Sequence, residues 1–414
     1  MLIGFLVALN IVVIYVLMAL PLGVRTTTAR RVIAAPSETL FAALWPLGEH
    51  ARWSGEVVSC AWIDRDEGLA RLVIAWTGRD GKPIERVVRL IETGSETGFE
   101  MTVVDDDSLD PAFWAHYHET TELRADGRNT EVVLSRTDRY RGAAFLGFRY
   151  FAMRRQLAKL AHWAETGEYR SGGWFEHPAT QFGFAGLSTL ILWPVFGLDI
   201  RGFIFAITLT IVVGLHEFGH LAAFRLMGHR RVRMIFIPLL GGVAIGGRPY
   251  DSRFEVAFVA LMGAGFSAFL APIAMAASLL GTAQGNLRAA GVLAVFAGLA
   301  ALFNLANLVP VWKFDGGQVL RQILPDGAAL AAASFCILAL FMWVGWVAGF
   351  SPRLLLVGGA VLAILSLMTA GSGVKPRREL KPISGQDKLA VAAAYLAVFA
   401  IHGTVMVWAA ARIA

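Results

Sequence analysis

Ile211-Val-Val-Gly-Leu-His216-Glu217-Phe-Gly-His220-Leu-Ala-Ala-Phe224 is the stretch on which the reading of this chain turns. It is apolar on both sides and long enough for a helix, yet three ionisable residues stand within five positions at its middle. An ionised residue near the centre of a membrane helix costs about 2.5–3.5 kcal/mol on insertion scales, so the cluster needs a reason. On a helix, positions i and i+4 share a face, which lets His216 and His220 aim ring nitrogens at one metal ion, zinc being the expected one. Glu217 is one step round from His216 and is placed to take a proton from a water on that metal. A pair of satisfied core histidines would leave Glu217 unexplained.

The surroundings of this stretch are membrane-like. Of the 414 residues, 56% are hydrophobic and only 16% charged, against about 25% charged in soluble domains. The apolar residues gather in runs near the ~20 residues that a spanning helix requires. Beyond residue 182 seven such runs are expected, at 182–198, 202–227, 254–280, 288–312, 329–349, 353–371 and 389–411. With residues 2–20, an uncleaved N-terminal anchor lacking a basic leader, they make about eight transmembrane helices. Alternating them puts Arg225, Arg230, Arg231, Arg233, Arg248, Arg253, Lys313, Arg321 and the Lys375–Arg378 cluster on one side. That side is the cytoplasm by the positive-inside rule, as expected for a multi-pass protein of a cell inner membrane. The net charge of +6 is thereby accounted for by topology. No basic stripe interleaved with aromatics is present, which argues against nucleic acid as a partner. Residues 234–247, broken by Pro238 and four glycines, are too short to span and are expected to enter the membrane as a hairpin covered by protein.

Residues 24–170 differ in kind. Charge is frequent, and Arg71–Trp76, Arg86–Ile91 and Thr130–Ser135 alternate as strands do. Glycines at 78, 81, 94, 98 and 127 mark turns. Ser37 is expected to cap a short helix over 38–45, and a longer helix over 143–165 is expected to bury Ala144, Phe148, Phe151 and Leu157. His116 and His118 alternate along an expected strand, most simply as surface residues, while Trp45, Trp53, Trp62, Trp76 and Trp114 are expected to pack in the core. Cys60 and Cys336 lie in unlike regions and offer neither a disulfide framework nor a cysteine metal site.

Two histidines leave zinc short of a protein ligand. The stretch Asn304-Leu-Ala-Asn307-Leu-Val-Pro310-Val-Trp-Lys-Phe-Asp315-Gly316-Gly317 offers one. Pro310 interrupts helical hydrogen bonding and the glycines allow a sharp turn, so Asp315, expected at the cytoplasmic end of its helix, can turn inward at the depth of the histidines.

With both motifs in place, the chain resembles the site-2 proteases, intramembrane zinc metalloproteases marked by a helical H-E-x-x-H and a later N-x-x-P-x-x-x-x-D-G. Here these are His216-Glu-Phe-Gly-His220 and Asn307-Leu-Val-Pro310-Val-Trp-Lys-Phe-Asp315-Gly316. The resemblance covers residues 182–325, with 326–414 as further transmembrane helices. It implies hydrolysis of peptide bonds in or near transmembrane segments of membrane-protein substrates. It implies one zinc on His216, His220 and Asp315, with Glu217 catalytic. It also implies that Asn307 holds the substrate backbone or the developing oxyanion, and that 234–247 is the family's hairpin. The sequence departs from the family at Phe266, where a proline often stands. Residues 24–170 resemble helix-grip domains of the START, polyketide-cyclase and Bet v 1 type in their order of strand, short helices, strands and long helix. That implies a cavity between sheet and helix for an apolar small ligand, and three roles stay open for the unit: gating the protease, recruiting substrate or shielding the site. A catalytically inactive relative of the same fold, and a metal-containing lipid-sensing or transport protein, are the two other readings. No internal repeat of the kind common in transporters is visible.

Overall fold

A computed structural model describes residues 12, 15–17, 19–94, 97–169, 177–237, 241–324, 327–369 and 377–413. Most of the expected anchor over 2–20, and the Pro238 apex of the expected hairpin, lie outside the described residues. The chain divides into two units, residues 1–173 with 372–379, and residues 174–371 with 380–414.

The first unit is an antiparallel sheet gripped by a helix. Its strands are β1 (Pro21–Ile33), β2 (Val57–Asp64), β3 (Leu69–Thr77), β4 (Pro83–Glu92), β5 (Gly98–Asp106), β6 (His118–Asp126) and β7 (Asn129–Arg141), in the spatial order β1-β7-β6-β5-β4-β3-β2. Two short helices, α1 (Ser37–Leu44) and α2 (His50–Trp53), separate β1 from β2, and α3 (Ala143–Thr166) closes the unit. Strand, short helices, six strands and a long helix are the helix-grip order, so the expected START-like architecture is present. All three expected strands form, within β3, β4 and β7. Gly142 and Gly167 bracket α3 with φ of 88° and 71°, a region that costs a side chain energy and glycine none.

The core face of α3 is Met153, Leu157, Leu160 and Ala161, packed against Ile33, Leu40, Trp53 and Val132. This corrects the expected face of α3. Leu157 is buried, but Phe148 and Phe151 are 69% and 67% exposed. The helix carries two apolar stripes, and periodicity alone does not say which one the sheet takes. Ser37 does not cap α1, because Pro36 occupies the cap position and no side chain closes it. His116 is in the turn after Pro111–Phe113 and only His118 is in a strand. The turn interrupts the alternation that the spacing suggested. Trp53 and Trp114 are buried, whereas Trp62 and Trp76 are 36% and 45% exposed.

The second unit is helical. Its helices are α4 (Pro178–Phe196), α5 (Ile200–Leu226), α6 (Arg253–Ala283), α7 (Leu287–Asn307), α8 (Asp315–Ile323), α9 (Gly327–Val347), α10 (Pro352–Thr369) and α11 (Gly385–Ile413). Each of the seven expected segments holds a helix, although the fourth ends at Asn307 and residues 370–371 lie outside the described residues. Among the described residues six helices are long and apolar enough to cross a membrane, namely α4, α5, α6, α7, α9 and α11. Their outer faces show bare apolar side chains, including Phe182, Phe269 and Phe335 at 71–80% exposure, as a hydrocarbon solvent permits and water discourages. Their contacts use small residues. Ala257, Ala260, Ala264, Ala271, Ala297, Ala300 and Ala301 form the centre of the unit, letting backbones approach where no hydrophobic drive exists between helices in lipid. Between α5 and α6 runs a hairpin, β8 (Arg233–Ile237) paired with β9 (Gly241–Ile245), at the place expected for 234–247.

Candidate metal centre

The spacing of α5 does what a helix requires, with His216 and His220 one above the other on the face turned to α6 and α7. Both are buried, at 3% and 9% exposure, and their Nε2 atoms stand 3.1 Å apart. Asp315 comes to them from a different element. Its helix differs from the expectation, because α7 stops at Asn307 and Asp315 opens the separate α8. Pro310 lies in the break between them. The break closes tightly because Gly316 and Gly317 lie so near the carbonyls of Leu308 and Val311 that a Cβ on either would collide. The Leu308 carbonyl also accepts from the Tyr395 hydroxyl of α11, so the turn is held from outside as well. Asp315 Oδ2 lies 3.1 Å from His216 Nε2 and 3.4 Å from His220 Nε2.

The remaining bonds of these rings decide where their protons are. His220 Nδ1 lies 2.7 Å from the Val259 carbonyl, which can only accept, so Nδ1 carries the hydrogen. His216 Nδ1 lies 2.8 Å from Asn304 Oδ1. The Asn304 amide is oriented by its own donation to Ala300 O at 2.7 Å, so His216 Nδ1 is also the donor. In the neutral rings both Nε2 atoms are then bare lone pairs. They face each other and a carboxylate oxygen, Asp315 Oδ2, that has no hydrogen-bond partner although buried. Three electron-rich atoms at 3.1–3.4 Å repel unless a proton or a metal cation stands among them. Ligands about 2.0–2.1 Å from a tetrahedral zinc are about 3.3–3.4 Å from one another, so the donor set and its spacing fit that ion. The bonds to Val259 and Asn304 are of the kind that orients metal-binding imidazoles.

Glu217 shares the cluster, with a carboxylate oxygen within 4.8 Å of the histidine nitrogens. Its Oε2 accepts from the backbone N–H of Ala244 at 3.0 Å. Ala244 pairs with Met234 across the hairpin but sends its N–H the other way, so the outer edge of β9 faces Glu217. Gly242 is equally close, and a Cβ there would strike the Glu217 side chain. The hairpin is anchored at its base by a buried group. His229 Nε2 donates to Glu255 Oε1 at 2.7 Å, Arg248 Nη2 reaches the same oxygen at 2.8 Å, and Asp251 N donates to Oε2 at 2.6 Å. On the far side, Gly263 brings α6 against the imidazoles, where a Cβ would lie 2.5 Å from His220 Nε2. The helix runs unbroken through Phe266, with Pro272 inside it.

The structure thus brings His216, Glu217, His220 and Asp315 together. The Asn307 Nδ2 donates to Phe303 O at 3.0 Å, within its own helix. The asparagine that touches the cluster is Asn304, one turn earlier, fully buried and not singled out from the sequence. A buried amide inside an apolar run was the available signal. If these side chains hold zinc, Asn304→Ala is expected to weaken its binding about 10–100-fold, measured by competition with a chromophoric chelator. Asn307→Ala is expected to leave it unchanged.

The first unit contains a cavity of ≈ 30 Å³ between sheet and helices, lined by Leu44, His50, Phe99, Met101, Glu119 and Arg136 among others. That is room for about two waters. Its polar end is an ion pair, Arg136 Nε to Glu119 Oε2 at 3.2 Å, with the Tyr117 hydroxyl donating to Glu119. Burial alone would raise the Glu119 pKa, but Arg136 and Tyr117 outweigh it and hold the carboxyl below the usual carboxylate range. Burial lowers the pKa of His50, whose Nδ1 donates to Leu44 O. His118 lies 3.7 Å from Glu100 at the surface and His116 is exposed.

No family model matches the chain, and no curated protein matches it. Solved structures that resemble part of it include a START superfamily protein from Mycobacterium smegmatis, 12% identical over 34% of this chain and 99% of that one, with a TM-score of 0.27. An uncharacterised protein from Bacillus thuringiensis is 14% identical over 33% of this chain and 97% of that one, with a TM-score of 0.26. An Aha1 protein from Colwellia psychrerythraea is 12% identical over 35% of this chain and 98% of that one, with a TM-score of 0.26.

Proposed function

We propose that the helical unit is an intramembrane zinc metalloprotease of the site-2 type, hydrolysing peptide bonds in or near transmembrane segments of membrane proteins. The observation that carries this reading is the approach of His216 Nε2, His220 Nε2 and Asp315 Oδ2 to within 3.1–3.4 Å of one another, beside the Glu217 carboxylate. His216, His220 and Asp315 would hold the ion, which when bound supplies Lewis-acid polarisation of the scissile carbonyl and a more acidic water. Glu217 accepts the proton of the attacking water and delivers it to the leaving amine. Asn304 and Val259 keep the two imidazoles turned for their task. The substrate must unwind, because a helix conceals its own amides. The outer edge of β9 supplies a strand partner for the unwound stretch next to Glu217. Asn307 is the candidate for holding the substrate backbone.

In this reading the zinc lies toward the cytoplasmic side of a cell inner membrane and the helix-grip unit is cytoplasmic, a topology that the basic clusters favour. That unit takes an apolar ligand and gates cleavage in this reading. Its cavity of ≈ 30 Å³ then widens to admit one.

Cell-free cleavage of a model transmembrane substrate, with and without a zinc chelator, tests the proposal. Cleavage is expected without chelator, lost with it and restored by added zinc. Cleavage that a chelator leaves untouched would take the metal out of the reaction. An intact substrate in every arm would leave a protein of this fold without the activity.

A further inference from the structure

Helix α3 leaves its aromatic residues outside. Phe145, Phe148 and Phe151 are 49%, 69% and 67% exposed, three large rings along the first three turns. At 3.6 residues per turn, Phe148 and Phe151 lie on the opposite side from Met153, Leu157 and Leu160, so the sheet cannot cover them. Single exposed apolar residues are ordinary, but a contiguous aromatic stripe marks a surface with a partner.

The start of α3 is tied to one particular stretch of chain. Gly142 N donates to Leu20 O at 2.8 Å, Arg141 Nε donates to Ala19 O at 3.2 Å, and Arg141 pairs with Pro21 in the sheet. Residues 2–20 are the almost wholly apolar N-terminal run. The stripe therefore begins beside the point where that run ends. Exposed arginines cluster at the same end of the sheet. Arg25 pairs with Asp138, whose carboxylate meets Arg149 of α3, so Arg25 is on the helix side of the sheet, whereas Arg139 and Arg141 point from its other face. Aromatic rings flanked by arginine next to the end of an apolar segment are what the headgroup layer of an anionic bilayer accommodates.

We propose that the first half of α3 is an interfacial membrane-binding helix. Phe145, Phe148 and Phe151 enter the boundary of headgroups and acyl chains, and Arg25, on the helix side of the sheet, faces anionic phosphates. The helix-grip unit is thus seated on the lipid surface by two elements, the N-terminal run and α3, and its grip helix feels the bilayer directly. This inference does not depend on the protease reading.

The test uses the full chain with Cys60→Ser and Cys336→Ser, reconstituted into vesicles of phosphatidylcholine and phosphatidylglycerol. A polarity-sensitive dye is attached at Phe148→Cys or Phe151→Cys, or at Arg65→Cys in the β2–β3 turn as a water-facing reference. Labels at Ala144→Cys and Ala152→Cys, which flank the stripe, repeat the measurement with all three phenylalanines in place. Nitroxides along the lipid chains are expected to quench the stripe labels at a depth about 5–10 Å below the headgroups. Aqueous iodide is expected to quench only the label at position 65. Equal iodide quenching at 65, 148 and 151 would overturn the proposal. So would stripe labels shielded from iodide yet reached by no lipid-borne quencher, since protein and not lipid would then cover the face.

Discussion

Glu217→Gln is expected to lower peptide cleavage by about 10²–10⁴-fold, the range that a positioned general base contributes, while zinc stays bound. The substitution suits the question because it preserves shape. The glutamine carbonyl still accepts the Ala244 N–H that Glu217 Oε2 accepts at 3.0 Å, so the hairpin keeps its hold on α5. His216, His220 and Asp315 retain their mutual spacing, and metal content should equal that of the parent. Only the ability to take a proton is gone. Elemental analysis and the cell-free assay on one preparation separate the two effects. Full activity in the variant would remove Glu217 from proton transfer.

Asp315→Ala acts on the other half of the centre and is expected to strip it of metal. The two imidazoles remain, but the proposed zinc would lose one of its three protein ligands. Affinity should fall by more than the about 10–100-fold that follows loss of a ligand's hydrogen-bond partner. Chelator competition measures this without reference to activity. Asp315→Asn repeats the test with the turn on Gly316 and Gly317 undisturbed, which separates loss of a ligand from loss of the turn. Unchanged zinc content in both variants would mean that the third ligand is elsewhere.

Much of this centre was legible in the sequence because helix geometry and bilayer energetics both act on local spacing. Two histidines four apart must share a face, and ionisable residues in an apolar run demand a partner. Asn304 was less legible. Its role depends on the rotation of α7 against α5, a tertiary quantity, and Asn307 stood in the more conspicuous motif. The hairpin over 234–247 followed from length and glycine content, whereas the turning of β9 toward Glu217 did not. In the helix-grip unit the order of elements was readable, but the inward side of α3 was not. Met153, Leu157 and Leu160 compete with Phe145, Phe148 and Phe151 for the sheet, and only the packed structure shows which stripe won. The strand expected around His116 failed for a related reason, since Asp110 caps a short helical turn through its bond to Ala112 N and ends the alternation there.

The bond between Glu217 and the Ala244 amide has a consequence for the order of events in the proposed reaction. One backbone hydrogen cannot satisfy two acceptors at full strength. A polypeptide laid along the free margin of β9 must claim that hydrogen, and in doing so it unties the carboxylate. In the proposed reaction, arrival of the chain to be cut then frees the base, and an idle molecule keeps one carboxylate oxygen moored to its own main chain.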